Sequence, residues 1–212
     1  YVASVATTKL TFATTLAGFQ VFTTSISVTL EPNANPPGTS VMITTGDFSI
    51  SNSSSSGLGS GNTTLKMLNL VPNTNYTLQA RTLNYNSIPS FSSPIASTTT
   101  LTAVHAVSGF QVFATSVTIT IGANGNPVGT QIAVSTGLAG YFGVDLSSVS
   151  AVSGTNTTLT ISGLTPNTTY GFQSGSLNPT GSTNTVIVTA STRTLSTVQS
   201  ISGFQIFTTS AS

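Results

Sequence analysis

A short segment that occurs three times constrains the fold more than any other feature of this chain. Residues 18–25 read GFQVFTTS, residues 109–116 read GFQVFATS and residues 203–210 read GFQIFTTS. The segments start at 18, 109 and 203, so they recur after 91 and then 94 residues. Repetition at a nearly fixed spacing indicates one structural unit used several times in succession. The 212 residues are therefore predicted to form tandem domains rather than one large domain.

A second match late in each unit supports this division. Residues 62–76 align with residues 156–170, and both segments open with the letters NTTL. A leucine in a threonine-rich stretch stands eight residues before each repeated glycine, at Leu10, Leu101 and Leu195. Each leucine is predicted to close one unit. The predicted domains are the last strand of a preceding domain, two complete domains, and the first strand or strands of a following domain, at residues 1–10, 11–101, 102–195 and 196–212.

The local pattern predicts β-strands throughout. Residues 116–121 read SVTITI, a strict alternation of polar and apolar side chains that is typical of a strand with one buried face. Val117, Ile119 and Ile121 are expected to point inward. Similar short runs are separated by clusters of Gly, Pro, Asn and Ser, which favour turns. Regular short strands over a unit of about 90 residues predict a β-sandwich.

Two segments resemble a motif of a known family. Residues 70–76 read LVPNTNY and residues 164–170 read LTPNTTY, and both are similar to the Leu-x-Pro-x-Thr-x-Tyr corner of fibronectin type III domains. The resemblance extends over residues 11–195. It implies an all-β fold made of tandem immunoglobulin-like or fibronectin type III-like β-sandwiches, of the kind found in extracellular or surface proteins.

The resemblance also implies a structural tyrosine corner in each domain. The hydroxyl group of the tyrosine is expected to bond to backbone a few residues upstream, at a turn marked by proline. The corner residues implied in this way are Tyr76 and Pro72 in the first unit and Tyr170 and Pro166 in the second. The chain departs from the family in having no tryptophan. Leu30 and Ile121 stand near the position where the family usually has one.

Residues that carry catalysis or bind metals are scarce. The chain has no cysteine, one histidine and three acidic residues, His105, Glu31, Asp47 and Asp145. Acid–base catalysis needs partners within hydrogen-bond reach of one another, and a calcium site needs several oxygen ligands. His105 is predicted to lie in the first strand of the second unit as an incidental residue. We therefore expect no catalytic, cofactor-binding or metal site, and no enzymatic activity.

Five sequons for N-linked glycosylation occur, at Asn52, Asn62, Asn75, Asn156 and Asn167. Many sequons arise by chance in a chain so rich in Asn and Thr. Asn62, Asn156 and Asn167 are expected at loop edges, where a glycan has room. Two alternatives stay open at this stage, namely attached glycans and unmodified polar loops.

The low charge of the chain bears on its partners. Charged residues make up 3% of the sequence and the net charge is +1, whereas soluble domains carry about 25% charged residues. Nucleic acid and anionic membranes require clustered Lys and Arg, so neither is an expected partner. No apolar run is long enough to cross a bilayer, which predicts no membrane insertion. A surface with few charges favours association with copies of itself.

These features together predict a structural, non-catalytic repeat protein located outside the cell or at its surface. The expected role is self-assembly into an extracellular filament, sheath or surface layer. The alternative is a spacer or stalk array within a larger secreted enzyme or adhesin. Carbohydrate binding is a third alternative, for which Tyr85 and Tyr141 are the aromatic side chains that sugars could stack on.

Overall fold

The protein is all-β. A computed structural model describes residues 9–46, 48, 53–91, 94–136, 147–178 and 183–200. Every helix or strand assigned within these ranges is a β-strand, and the strands form two sandwiches. The prediction of immunoglobulin-like or fibronectin type III-like sandwiches is thereby confirmed at the level of the fold. The acidic residues Asp47 and Asp145, the sequon Asn52 and Tyr141 lie outside the described residues.

The first sandwich contains eight strands. They are β1 Thr15–Val21, β2 Ile26–Glu31, β3 Ser40–Thr44, β4 Ser53–Gly57, β5 Thr63–Met67, β6 Asn75–Leu83, β7 Pro89–Phe91 and β8 Ala96–Thr99. One sheet has the order β1-β2-β5, and all its pairings are antiparallel. The other has the order β4-β3-β6, with β7 and β8 pairing successively along the free edge of β6.

The second sandwich repeats this arrangement with seven strands. They are β9 Ala106–Val112, β10 Ser116–Gly122, β11 Gln131–Ser135, β12 Ser147–Ala151, β13 Asn156–Ser162, β14 Thr169–Leu177 and β15 Thr183–Arg193. One sheet has the order β9-β10-β13 and the other β12-β11-β14-β15. The long strand β15 replaces the pair β7 and β8, and a register shift between Phe172 and Ser174 interrupts its pairing with β14.

Each sandwich has its own core between its two sheets. The alternation in β10 is confirmed, because Val117, Ile119 and Ile121 are fully buried. They pack with side chains of the opposite sheet, including Ile132 and Phe172. The corresponding core of the first sandwich is built from β2, β3, β5 and β6 in the same way. Since successive side chains of a strand point to opposite faces, one face of each sheet lies against the core.

Two strands were missed by the sequence pattern. Ser53–Gly57 forms β4 and Ser147–Ala151 forms β12, although both are rich in serine. β4 contains no large apolar side chain, and β12 contains one, Val149. Each lies at the edge of its sheet and needs a backbone ladder with only one neighbour. Small polar side chains are tolerated there because much of such a strand faces water. Gly57 is the last residue of β4.

Candidate functional site: the junction between the two sandwiches

A tight turn precedes β6 in the first sandwich and β14 in the second. The backbone N–H of Val71 donates a 2.9 Å hydrogen bond to the hydroxyl oxygen of Tyr76. The N–H of Thr165 donates one of the same length to Tyr170. Hydrogen bonds from the side chain and backbone of Thr165 lower the pKa of Tyr170, since they favour its ionised form. The tyrosine hydroxyls therefore fix the position of the turn in each sandwich.

The tip of each turn is an asparagine in the left-handed backbone region. Asn73 has a φ of 49° and Asn167 a φ of 54°. Asparagine adopts this conformation more readily than most residues, which accounts for the same residue at both tips. Pro72 and Pro166 precede these asparagines. The turn thus presents an amide side chain at the end of the sandwich where the last strand finishes.

The last residues of each sandwich are held against this turn. The N–H of Leu101 donates to the carbonyl oxygen of Phe22 at 3.2 Å, and the N–H of Asn73 donates to the carbonyl oxygen of Leu101 at 3.2 Å. The hydroxyl of Thr100 donates to the carbonyl oxygen of Val71 at 2.7 Å. Leu101 is therefore fastened to the first sandwich by its own backbone.

The next two residues are fastened to the second sandwich. Ser176 donates a 2.6 Å hydrogen bond to the hydroxyl oxygen of Thr102. The side chain of Asn126 accepts from the N–H of Ala103 at 2.7 Å and donates to its carbonyl oxygen at 2.8 Å. Because Leu101 bonds to one sandwich and Thr102 to the other, no free linker residue lies between them.

The two sandwiches also bond to each other directly. The side-chain amide of Asn73 donates a 2.7 Å hydrogen bond to the hydroxyl oxygen of Thr130. That hydroxyl group donates its own proton to the carbonyl oxygen of Pro127 at 2.8 Å. Thr130 is consequently used as donor and acceptor at once, and its lone pair is oriented for the amide of Asn73. We call this contact, together with Leu101 and Thr102, the junction.

Equivalent residues elsewhere in the chain show what the junction buries. Leu101 is half-buried, whereas its equivalents Leu10 and Leu195 are 66% and 55% exposed. Thr130 is buried and its equivalent Thr39 is half-buried. The same trend holds at the tyrosine corner. Asn73 is more buried than Asn167, and Pro72 is more buried than Pro166. The direct contact between Asn73 and Thr130 accounts for the greater burial of these two side chains.

Of the residues considered for catalysis, the two that are described, Glu31 and His105, belong to different sandwiches. His105 precedes β9 rather than lying within it as predicted, because the ladder with β10 begins at Ala106. It is buried, its Nδ1 lies 3.3 Å from the carbonyl oxygen of Gly122, and its Nε2 has no partner. Burial lowers the pKa of His105 because desolvation disfavours the charged ring. Within the described part of the chain, no group of three His, Cys, Asp or Glu residues could hold a metal ion.

The four described sequons are exposed but scattered. Asn62 precedes β5, Asn156 begins β13, Asn75 begins β6, and Asn167 is the tip of the second turn. Asn75 already bonds to its neighbours, since its amide donates to Thr99 at 3.3 Å and its oxygen accepts from Ser97 at 3.0 Å. The sequons therefore share no common surface. Tyr85 is 95% exposed.

Sequence reasoning missed the asparagines that hold the start of each sandwich. Asn35 makes the same bonds as Asn126, accepting from the N–H of Phe12 at 2.8 Å and donating to the carbonyl oxygens of Phe12 and Pro32. Both asparagines are buried. The available signal was the Asn-Pro dipeptide that recurs at residues 35–36 and 126–127, 91 residues apart like the glycines.

Comparisons with known proteins give structural similarity but no sequence match. No family model matches the chain, and no curated protein matches it. The chain is similar in structure to a two-domain fibronectin type III segment of chicken tenascin, with 15% identity and a TM-score of 0.46. The alignment covers 84% of this chain and 100% of the tenascin segment. Within the described ranges, we find no helix with the length and apolar character needed to span a membrane.

Proposed function

We propose that this chain is a structural, non-catalytic repeat protein that self-assembles into an extracellular filament, sheath or surface layer. A fibronectin type III-like fold is consistent with a structural or spacer role, although one fold hosts many functions. The observation that carries the proposal is the junction, where Leu101 bonds to one sandwich and Thr102 to the next. A chain joined in this way transmits force and orientation from one domain to its neighbour.

The outer faces of the sheets support association with like surfaces. Threonine hydroxyls pair across neighbouring strands at the exposed face of each three-stranded sheet, Thr29 with Thr64 and Thr118 with Thr160, both at 2.9 Å. The described strands of this face in the second sandwich carry no charged side chain, so the face can meet another chain through hydrogen bonds without burying an unpaired charge, which is costly. On the corresponding face of the first sandwich, Glu31 and Lys66 are exposed. The scarcity of charged residues removes the repulsion that keeps most proteins dispersed.

A spacer or stalk in a larger secreted enzyme or adhesin is the second candidate. It is favoured by the position of the large exposed apolar side chains Leu10, Phe12 and Leu195, which lie where one sandwich would follow another. A spacer needs contacts between successive domains but none between neighbouring arrays. The junction fits both functions. They differ in whether the exposed faces of the three-stranded sheets bind neighbouring chains.

Electron microscopy of the purified chain over a range of concentrations tests the proposal. Self-assembly predicts ordered filaments or sheets that form above a threshold concentration and persist in high salt, because few charges are available for salt to screen. Dispersed particles at every concentration would contradict assembly and favour the spacer. Replacing Thr29 and Thr118 with lysine places a charge on each exposed sheet face, and it should abolish lateral assembly while both sandwiches remain folded.

A further inference from the structure

We propose that the open end of the first sandwich binds the tyrosine-corner turn of another sandwich of this repeat, with Thr39 accepting a hydrogen bond from the asparagine at its tip. We call this end the entry surface, formed by Phe12, Pro36, Thr39 and Tyr85. The inference rests on the proposed function, since it describes how successive domains of a structural array join. It goes further by naming the surface, the occupant and the residue that recognises it.

The entry surface has the same construction as the half of the junction contributed by the second sandwich. The hydroxyl of Thr39 donates to the carbonyl oxygen of Pro36 at 2.7 Å, as Thr130 does to Pro127. The hydroxyl of Thr11 bonds to Thr82 at 2.8 Å, as Thr102 bonds to Ser176. The lone pair of Thr39 is therefore oriented as that of Thr130 is, and within the described part of the chain no residue of another domain bonds to it.

A groove lies where the occupant would sit. It has a volume of about 760 Å³ and includes Gly38, Thr39, Ser40, Leu83 and Asn84 in its lining. The corresponding residues of the second sandwich, Gly129, Thr130, Gln131, Leu177 and Asn178, line a space of about 340 Å³ together with Asn73. The space is smaller at the junction, where the corner of the first sandwich supplies one wall.

The side chains around the groove indicate the chemistry of the occupant. Phe12 is 63% exposed and Tyr85 is 95% exposed, so the rim offers apolar area that water solvates poorly. Among the lining residues from Thr11 onward none is charged. An occupant that fits must bring an apolar surface and one amide donor for Thr39. The Pro-Asn-Thr turn and its adjoining leucine provide both.

The second sandwich carries such a turn, and the Nε of Arg193 donates a 3.1 Å hydrogen bond to the carbonyl oxygen of Asn167 at its tip. Asn167 is exposed at its tip with nearly the same φ as Asn73. Leu195 is held by backbone bonds to Phe113 and Asn167 at 3.1 Å each, the same two bonds that hold Leu101. We call Pro166, Asn167 and Leu195 the exit surface. A domain bearing this surface would meet the entry surface as the first sandwich meets the second.

The test joins the two surfaces in one polypeptide. Residues 1–195 are followed directly by residues 11–212, so that Leu195 precedes Thr11 as Leu101 precedes Thr102. Because the chain has no cysteine, spin labels can be placed by Gln20→Cys and Gln111→Cys, at equivalent exposed positions of β1 and β9. In the single chain these labels measure the internal junction. In the fusion, Gln111→Cys of the first copy and Gln20→Cys of the second measure the new one.

The expected result is that both junctions give the same mean distance and the same width of distance distribution. Thr39→Val in the second copy should widen the new distribution as much as Thr130→Val widens the internal one, because each removes the acceptor for an asparagine amide. Thr77→Val, an exposed threonine on β6 away from the entry surface, is the matched control and should change neither distribution.

A broad or displaced distribution at the new junction would overturn the proposal, as would a Thr39→Val variant indistinguishable from Thr77→Val. Circular dichroism of each variant establishes that the sandwiches are folded. Failure of the two surfaces to dock can be distinguished from failure of the proposed self-assembly. Matching distances without filaments in the microscope would retain the docking and reject assembly, whereas filaments with mismatched distances would do the reverse.

Discussion

The two sandwiches fill equivalent positions of their cores with side chains of different size. Phe172 of β14 is fully buried in the second sandwich, and its ring lies 5.7 Å from that of Phe110 on β9. In the first sandwich Leu78 occupies the place of Phe172, and Phe19, the equivalent of Phe110, is 40% exposed. A smaller residue on one sheet thus accompanies a less buried aromatic ring on the other. The two sandwiches therefore bury equivalent positions but differ in the size of the side chain on β6 or β14 and in the burial of the phenylalanine on β1 or β9.

The start of each sandwich shows a second contrast. His105 stands where the first sandwich has Thr14, and both side chains are buried with a polar atom that lacks a partner. Only the histidine can change its charge near neutral pH. We therefore expect the stability of the second sandwich to depend on pH through His105, whereas Thr14 gives the first sandwich no such dependence.

The largest expected effect comes from the core of the second sandwich. Phe172→Ala removes a fully buried ring and its contact with Phe110, and it should lower the free energy of unfolding of that sandwich by about 3–5 kcal/mol. Hydrogen exchange followed by mass spectrometry separates peptides of the two sandwiches. Leu78→Ala is the matched change and should destabilise the first sandwich instead, by about 2–5 kcal/mol. Equal loss of protection in both sandwiches after Phe172→Ala would show that their cores are not independent.

The next effect concerns the asparagines that hold the chain start. Asn126→Ala removes the acceptor of the Ala103 N–H and the shorter of the two bonds to its carbonyl oxygen, which Ser176 also reaches at 3.4 Å, and should cost the second sandwich about 1–3 kcal/mol. Urea unfolding measures the loss. Asn35→Ala should cost the first sandwich a similar amount, but only Asn126→Ala should also widen the label distance across the junction. An unchanged distance would mean that Ala103 is held independently of Asn126.

A smaller effect is expected at the tyrosine corners. Tyr170→Phe removes the acceptor for the N–H of Thr165 and should lower stability by about 1 kcal/mol, the usual net value of one hydrogen bond. Tyr76→Phe removes the corresponding acceptor for Val71. Each turn has one further brace, since Asn73 bonds to Thr130 in the first sandwich and the Nε of Arg193 donates to the carbonyl oxygen of Asn167 at 3.1 Å in the second. Tyr76→Phe and Tyr170→Phe should therefore lower stability by similar amounts. Thermal unfolding of the two variants measures both losses, and a loss confined to one variant would refute the equivalence of the two corners.

The smallest effect is the dependence on pH. The pKa of His105 is lowered by burial, so the unfolded chain binds a proton more readily than the folded one. The second sandwich should keep full stability above the ordinary histidine pKa of about 6.5 and lose stability as the pH falls through the lowered value. Hydrogen exchange at pH 7 and at acidic pH measures this loss, and the first sandwich serves as the internal reference. His105→Thr should remove the difference, and a loss that persists in this variant would assign it to another group.

Much of the fold was predictable because strand position depends on short-range patterns. The alternation of residues 116–121 identified β10 and its buried face, and the segments LVPNTNY and LTPNTTY identified the turns before β6 and β14. The serine-rich strands β4 and β12 were not predictable, because an edge strand is specified by its neighbour rather than by its own side chains. His105 was misplaced by one residue for a similar reason, since the register of β9 with β10 sets where the ladder begins.

The junction divides what the sequence determined from what required the tertiary structure. The sequence alone determined that units repeat, that a leucine recurs before each repeated glycine, and that an asparagine stands at each corner. It could not determine that Asn73 donates to Thr130, 57 residues away in another sandwich. A hydrogen bond between domains depends on the position and orientation of two folded bodies, which are set by the bonds of Leu101 to one and of Thr102 to the other. Local patterns contain no information about that arrangement, and only the packed structure shows it.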